Sequence, residues 1–272
     1  MHGAAHQRAA PAASAAAAAA TCLLLDLSHD EVSIVTHELC DPLRPLLAVH
    51  LSSTAKGLRE AMEEQLAELK QQTQQAAALA ALCGRSCAQL RDAAELNLGA
   101  FLNRPLTLAH WRTLGTLARC GSLPRLDMLA INGSDDGDEG VALLADGLRR
   151  GRLPSLRCLT LTDAQIGPQG ATALAPALTK RALPSLEILN LGDNLLGGAG
   201  LTALAPALRQ LPKLETLFLE GNQITDQGVA SLLLVAPPTA GVLPSLRSLY
   251  LGDNPSSAQA QAGAEAQLLA RA

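Results

Sequence analysis

The stretch LPSLEILNLGDN, residues 183–194, decides the fold. Its leucines fall at 183, 186, 189 and 191, and an asparagine closes the frame at 194. In a strand over Ile188–Gly192, Leu189 and Leu191 point to one face, while Ile188, Asn190 and Gly192 point to the other. Such a strand cannot bury its leucines alone. It needs copies of itself.

The chain supplies them. LPRLDMLAIN begins at Leu123, LPSLRCLTLT at Leu153, LPKLETLFLEGN at Leu211 and LPSLRSLYLGDN at Leu243, so the frame recurs at spacings of 30, 30, 28 and 32 residues. A sixth, degenerate copy precedes them, with Leu90, Leu96 and Leu98 in the register of Leu183, Leu189 and Leu191. A helical segment follows each copy, clearest in GATALAPALTK from Gly170 and GLTALAPALRQ from Gly200. Leu201, Leu204 and Leu208 give that helix a face to close over the strand leucines. A period in this range marks an array in which each unit buries its apolar side against its neighbours. Pro176 and Pro206 fall inside the helical pattern, where proline costs about 3 kcal/mol. Spacing alone leaves open whether those helices are short, kinked or begin at the proline.

The frame L-x-x-L-x-L-x-x-N resembles the leucine-rich repeat family over residues 90–272. The repeat length and the N-x-[IL]-x-x-x-G continuation resemble its ribonuclease-inhibitor-like subclass. That resemblance implies an α/β fold: a right-handed βα solenoid, a horseshoe of about six repeats with a parallel sheet inside and helices outside. It also implies a structural ladder at Asn194, Asn222 and Asn254, each bonding loop backbone groups that would otherwise be buried unpaired. Phe101, Ser134 and Ala164 take that place in the other copies. Asp136 stands where Ile166, Leu196 and Ile224 supply an apolar group, so the second repeat, 123–152, is expected to be the loosest. Gly140, Gly170, Gly200 and Gly228 recur six residues past the asparagine position, where a small residue is expected to let the helix approach the sheet.

Ahead of the repeats, residues 1–25 read as a disordered Ala-rich tail, since residues 9–20 are nearly all Ala and lack the Leu-rich run of a signal peptide. Residues 26–89 are predicted to be helical. Val32, Val35 and Leu39 form one face, Pro42 and Pro45 break the chain, and 58–83 form an amphipathic helix with Leu58, Met62, Leu66 and Leu69 in a stripe. The order L-x-x-[DE]-x-V-x-x-V-x-x-x-L from Leu27, followed by a proline turn and LLAVHLSSTAKGL, is similar to an F-box. Ser28 replaces that family's usual Pro, and the second half lacks its large aromatic. The resemblance implies that residues 26–58 grip a ubiquitin-ligase adaptor while the repeats choose a substrate. An α-helical N-terminal cap over the first strand accounts for the same residues.

Composition excludes several classes. The 272 residues are 48% hydrophobic but 1% aromatic, so Ala and Leu carry the apolar content. Net charge is −4 with no basic block, which disfavours nucleic acid as a partner. No eighteen consecutive apolar residues occur, so no membrane span is expected. Six cysteines (22, 40, 83, 87, 120, 158) show no disulfide framework, and the spacing of Cys83 and Cys87 is poor for zinc. Reduced thiols and a cytoplasmic location follow, with the nucleus as the alternative. All six histidines lie at or before position 110, so no Ser–His–Asp or Cys–His arrangement fits within the five clear repeats. Asp135, Asp136, Asp138 and Glu139 lack calcium-loop spacing and read as a solvated turn into a helix. The expectation is no enzyme, no cofactor and no metal.

The remaining signal lies on the strand face opposite the leucines. Its expected partner-binding residues are Thr160, Thr162, Ile188, Asn190, Thr216, Phe218, Glu220, Ser248 and Tyr250. Phe218 and Tyr250 hold the same central position in adjacent repeats, about 5 Å apart. Exposed neighbouring aromatics suit an interface hot spot, although strand propensity also favours aromatics there. Asp163, Asp193 and Asp253, with Glu220, bias the edge toward a basic partner segment, and turn chemistry explains the aspartates too. The reading is a non-enzymatic module holding a polypeptide on the concave face of the solenoid. The alternatives are an F-box-type substrate receptor and a GTPase activator of the Ran type, where ribonuclease-inhibitor-like repeats also occur. At the far end Ala260 replaces the recurrent glycine, and the Ala/Gln-rich stretch to Ala272 reads as a degenerate cap or as an interruption of a longer receptor.

Overall fold

A computed structural model describes residues 41–43, 63–99, 106–233 and 243–269. The chain divides into two compact units, Met1–Gln74 and Gln75–Ala272. Residues 75–89, read with the helical segment above, cluster with the repeats. In the first unit Asp41–Leu43 form a turn in which the Leu43 N–H donates to Asp41 Oδ1 at 2.8 Å. Helix α1 spans Glu63–Leu82. Of its expected stripe, Leu69 is buried and Leu66 half-buried; Leu58 and Met62 lie outside the described residues. So do Phe101 and the F-box-like stretch 26–58, apart from Asp41–Leu43.

The second unit alternates helix and strand. After α2 (Cys87–Arg91) come β1 (Glu95–Gly99), α3 (Leu108–Cys120), β2 (Met128–Asn132), α4 (Gly137–Leu148), β3 (Cys158–Thr162) and α5 (Pro168–Leu174). They are followed by β4 (Ile188–Asn190), α6 (Gly197–Leu208), β5 (Thr216–Phe218), α7 (Asp226–Leu233), β6 (Ser248–Tyr250) and α8 (Ala258–Leu269). The six strands form one parallel sheet in sequence order. Parallel neighbours require a crossover, and each helix provides one.

Register follows the leucines. Leu96, Leu129, Leu159, Leu189, Leu217 and Leu249 pair in one row, and all are buried. Leu98, Ile131, Leu161, Leu191, Leu219 and Leu251 are likewise buried two residues on. β4 is shorter than the expected Ile188–Gly192, yet the ladder continues past it through the Leu191 N–H to the Phe218 carbonyl at 3.0 Å. Each buried leucine is worth about 2–5 kcal/mol against alanine. Leu201, Leu204 and Leu208 close the core from α6.

The recurrent glycines do a different job from the one expected. A methyl at Gly170 would lie 2.8 Å from Val141 Cγ1, one at Gly200 3.4 Å from Ala171 Cβ, and one at Gly228 2.8 Å from Gly198 Cα. Those atoms belong to the preceding helix, so at Gly170 and Gly228 the small residue sets helix-to-helix approach, whereas at Gly200 the helix contact is ordinary and Leu196 Cβ of the same repeat lies nearer, at 3.2 Å. Pro176 ends α5 in a short 3₁₀ turn, Ala175–Ala177, whereas Pro206 sits inside α6 near its end.

In the second repeat Ser134 stands at the asparagine position. Trp111 of α3, fully buried, donates its Nε1–H to Ser134 Oγ at 3.2 Å, and a methyl on Gly140 would lie 2.9 Å from its ring. The indole thus packs at the turn where this repeat lacks the asparagine and the aliphatic side chain. Nor is the acidic cluster only solvated. Asp135 accepts from Gln165 Nε2 and Asp138 from the Gly167 N–H, both at 2.7 Å, tying this turn to the next repeat.

Candidate protein-binding face

The loops after the strands are held by asparagine side chains. Asn194 Nδ2 donates to the carbonyls of Leu161 (2.7 Å), Leu191 and Gly192, while its Oδ1 accepts from the Ala164 and Ile166 N–H groups. Asn222 donates to Leu191, Leu219 and Glu220 and accepts from Leu196. Asn254 donates to Leu219, Leu251 and Gly252 and accepts from Asn222 and Ile224. Each side chain thereby satisfies donors and acceptors of two repeats, which burial would otherwise leave unpaired.

Just ahead of the asparagine position, including the copies where Ser134 and Ala164 occupy it, stands a residue with left-handed backbone. These residues are Gly133, Asp163, Asp193, Gly221 and Asp253, with φ of 50–68°. Glycine adopts this conformation freely, and aspartate is among the few residues that tolerate it. Backbone geometry therefore accounts for the three aspartates, whose carboxylates remain exposed at the edge of the face.

The open face itself has two halves. Across β1–β3 its polar groups satisfy one another: Asn132 Nδ2 donates to Asn97 Oδ1 at 3.4 Å, and Thr162 Oγ1–H donates to Asn132 Oδ1. Thr160 is half-buried within 3.8 Å of Cys158 Sγ, a thiol whose pKa is pushed up by burial. A raised thiol pKa means little thiolate, so Cys158 is a poor nucleophile. Ala130, expected outward, is only 5% exposed.

Across β4–β6 the face turns apolar. The Phe218 and Tyr250 rings lie parallel, 4.6 Å between centroids and 6° between planes. Tyr250 is 44% exposed and Ile188 37%. Thr216 and Ser248 are half-buried one row back, in register with Ile188. Asn190 turns its Oδ1 to the Gly192 N–H at 2.9 Å, so its amide serves the local backbone. Glu220 stands half-buried beside this patch, its Oε2 3.7 Å from where a Gly192 side chain would begin. Gly192 and Gly252, flanking it in the register, leave a notch around the carboxylate.

At the strand entry Arg157 bonds Glu187 at 2.7 Å and lies 3.9 Å from Asp127, linking three successive repeats. The hydrogen bond from Arg157 holds the Glu187 carboxyl below its ordinary value. The loop after β4 carries one further apolar residue, Leu195, 47% exposed. Its signal was the doublet Leu195–Leu196, of which only Leu196 holds the buried register. Among the described residues no group of three or more His, Cys, Asp or Glu could hold a metal, and no helix is long and apolar enough to cross a membrane.

Residues 152–175, 182–205 and 210–233 match the family model for the leucine-rich repeat. With the six-stranded parallel sheet and its helices, they define an α/β leucine-rich-repeat fold. No curated protein matches the chain in sequence. Among solved structures, the chain is similar to leiomodin-1 actin-binding site 2, at 18% identity over 62% of this chain and 90% of that one, with a TM-score of 0.46. The C-terminal domain of Caenorhabditis elegans tropomodulin gives 16%, 59%, 92% and 0.47 in the same order. An internalin from Listeria monocytogenes gives 18%, 71%, 61% and 0.29.

Proposed function

We propose that the repeats are a non-enzymatic interaction module holding a polypeptide on the β4–β6 end of the sheet, the inner wall of a ribonuclease-inhibitor-like horseshoe. The observation that carries this reading is the parallel stack of Phe218 on Tyr250 on an open face. Two rings packed on each other are pre-ordered, so a partner laid across them loses little further side-chain freedom. Large rigid side chains at the centre of a face are the usual source of interface energy. Glu220 in its glycine notch favours a partner segment carrying Lys or Arg, which pairs with the carboxylate and stacks on the phenol ring.

The test is affinity capture from a cell extract on the full chain, wild type against Phe218→Ala/Tyr250→Ala, followed by mass spectrometry. Circular dichroism is expected to be unchanged, since both residues lie on the open face. A protein held by the wild type and lost from the double variant supports the reading. Equal recovery on both overturns it.

A further inference from the structure

The loops that carry the chain from helix back to strand hold a feature unrelated to the sheet face. Arg149, Arg150, Arg152 and Arg181 line a cavity of about 420 Å³, together with Pro176 and Thr179. The arginines come from two consecutive repeats. Their loops touch because position 151 is glycine: at φ +70° it turns the chain, and a methyl there would lie 2.7 Å from the Arg181 carbonyl oxygen. The Gly151 N–H closes the end of α4 on the Leu148 carbonyl at 3.0 Å. The stem of Arg152 packs over Gly121, its Cδ 3.4 Å from where a methyl would begin.

One arginine at a helix C-terminus suits the helix dipole. Four arginines lining one cavity gather like charges that repel, and the chain as a whole is acidic at −4. Asp146 balances Arg149 at 2.9 Å in an exposed pair. Arg150 and Arg181 are exposed and have no carboxylate within ion-pair distance among the described residues. We propose that this cavity binds a compact group of clustered phosphates. The guanidinium fork matches phosphate oxygens two at a time, which an ammonium cannot do. Each phosphate monoester brings close to two charges in a small volume, and the cavity lies within the size range of small-molecule sites. A carboxylate brings one charge, so several must converge from a flexible chain to equal it.

Isothermal titration of the full chain with inorganic tripolyphosphate tests the proposal. Saturable binding is expected, weakening with added salt. Arg150→Gln/Arg181→Gln is expected to weaken it about tenfold or more, the loss of charge-assisted hydrogen bonds. Arg247→Gln, an exposed arginine away from the cavity, is expected to bind as the wild type does. Sedimentation with phosphatidylcholine vesicles, with and without phosphatidylinositol bisphosphate, separates the sources. Pelleting only with the phosphorylated lipid assigns a headgroup, and no pelleting alongside tripolyphosphate binding assigns a free polyphosphate. Absence of saturable binding, or binding that the double variant leaves intact, overturns the proposal. So does a polyglutamate peptide that binds as tightly as tripolyphosphate.

Discussion

The side-chain amide of Asn222 donates to the main-chain carbonyl of Leu191, 31 residues earlier, at 2.7 Å. The bond joins two repeats where neither a strand nor a helix reaches. Asn222 is fully buried and its amide is shared among three carbonyls, so the side chain substitutes for water along the loop. Asn222→Ala takes one donor from each of those carbonyls and leaves the buried Leu196 N–H without its acceptor, and is expected to cost about 1–3 kcal/mol, the penalty for a buried group left unpaired. Urea denaturation measures it. A midpoint shift no larger than that of an exposed control such as Gln223→Ala contradicts the structural role.

Helix-to-helix approach gives a second, sharper expectation. A methyl at Gly147 of α4 would collide with the Gly115 carbonyl of α3, whereas one at Gly263 of α8 meets nothing within 4 Å. Gly147→Ala is expected to destabilise by about 1–3 kcal/mol, because two backbones must separate. Gly263→Ala is expected to stabilise by about 0.5–1 kcal/mol, since glycine inside a helix only adds chain entropy. Thermal denaturation of the pair is the check, and the same sign for both contradicts this packing.

A pH effect follows from His110. Its Nδ1 accepts from the Thr107 N–H at 3.0 Å, closing the start of α3 in the manner of a capping box. Burial holds its pKa below the ordinary 6.5, against a smaller opposing pull from Asp136. The folded chain thus binds this proton less readily than the unfolded chain. Stability from the site is full above the unfolded value and is lost as pH falls through 6.5 toward the folded pKa. His110→Gln keeps an acceptor and removes the titration, so its stability relative to wild type is expected to rise as pH falls through that window. A difference independent of pH contradicts the assignment.

Much of this was legible from the leucines. Their period set the repeats, the strand order and the register of Leu189 on Leu217, because a buried row tolerates no slip. The Phe218–Tyr250 pairing followed from the same register. What a residue meets across a repeat was less legible. The glycines at 170, 200 and 228 read as small without saying small against what, and Trp111 lies outside the frame it completes. The three aspartates read equally as charge and as turn chemistry, and their left-handed backbone favours the turn. Arg181 lies 30 residues after Gly151 in the numbering, one repeat on, so only stacking brings it to Arg149–Arg152. Comparing residues at that offset, rather than along the chain, was the signal available.

The account rests on a polypeptide lying across the Phe218–Tyr250 stack, and photo-crosslinking tests this most directly. A photoreactive residue placed at Ser248, beside the rings on the open face, is compared in cells with one at exposed Gln227 on α7. The expected result is a discrete protein adduct from position 248 and none from 227. Adducts from 227 with none from 248 would contradict it.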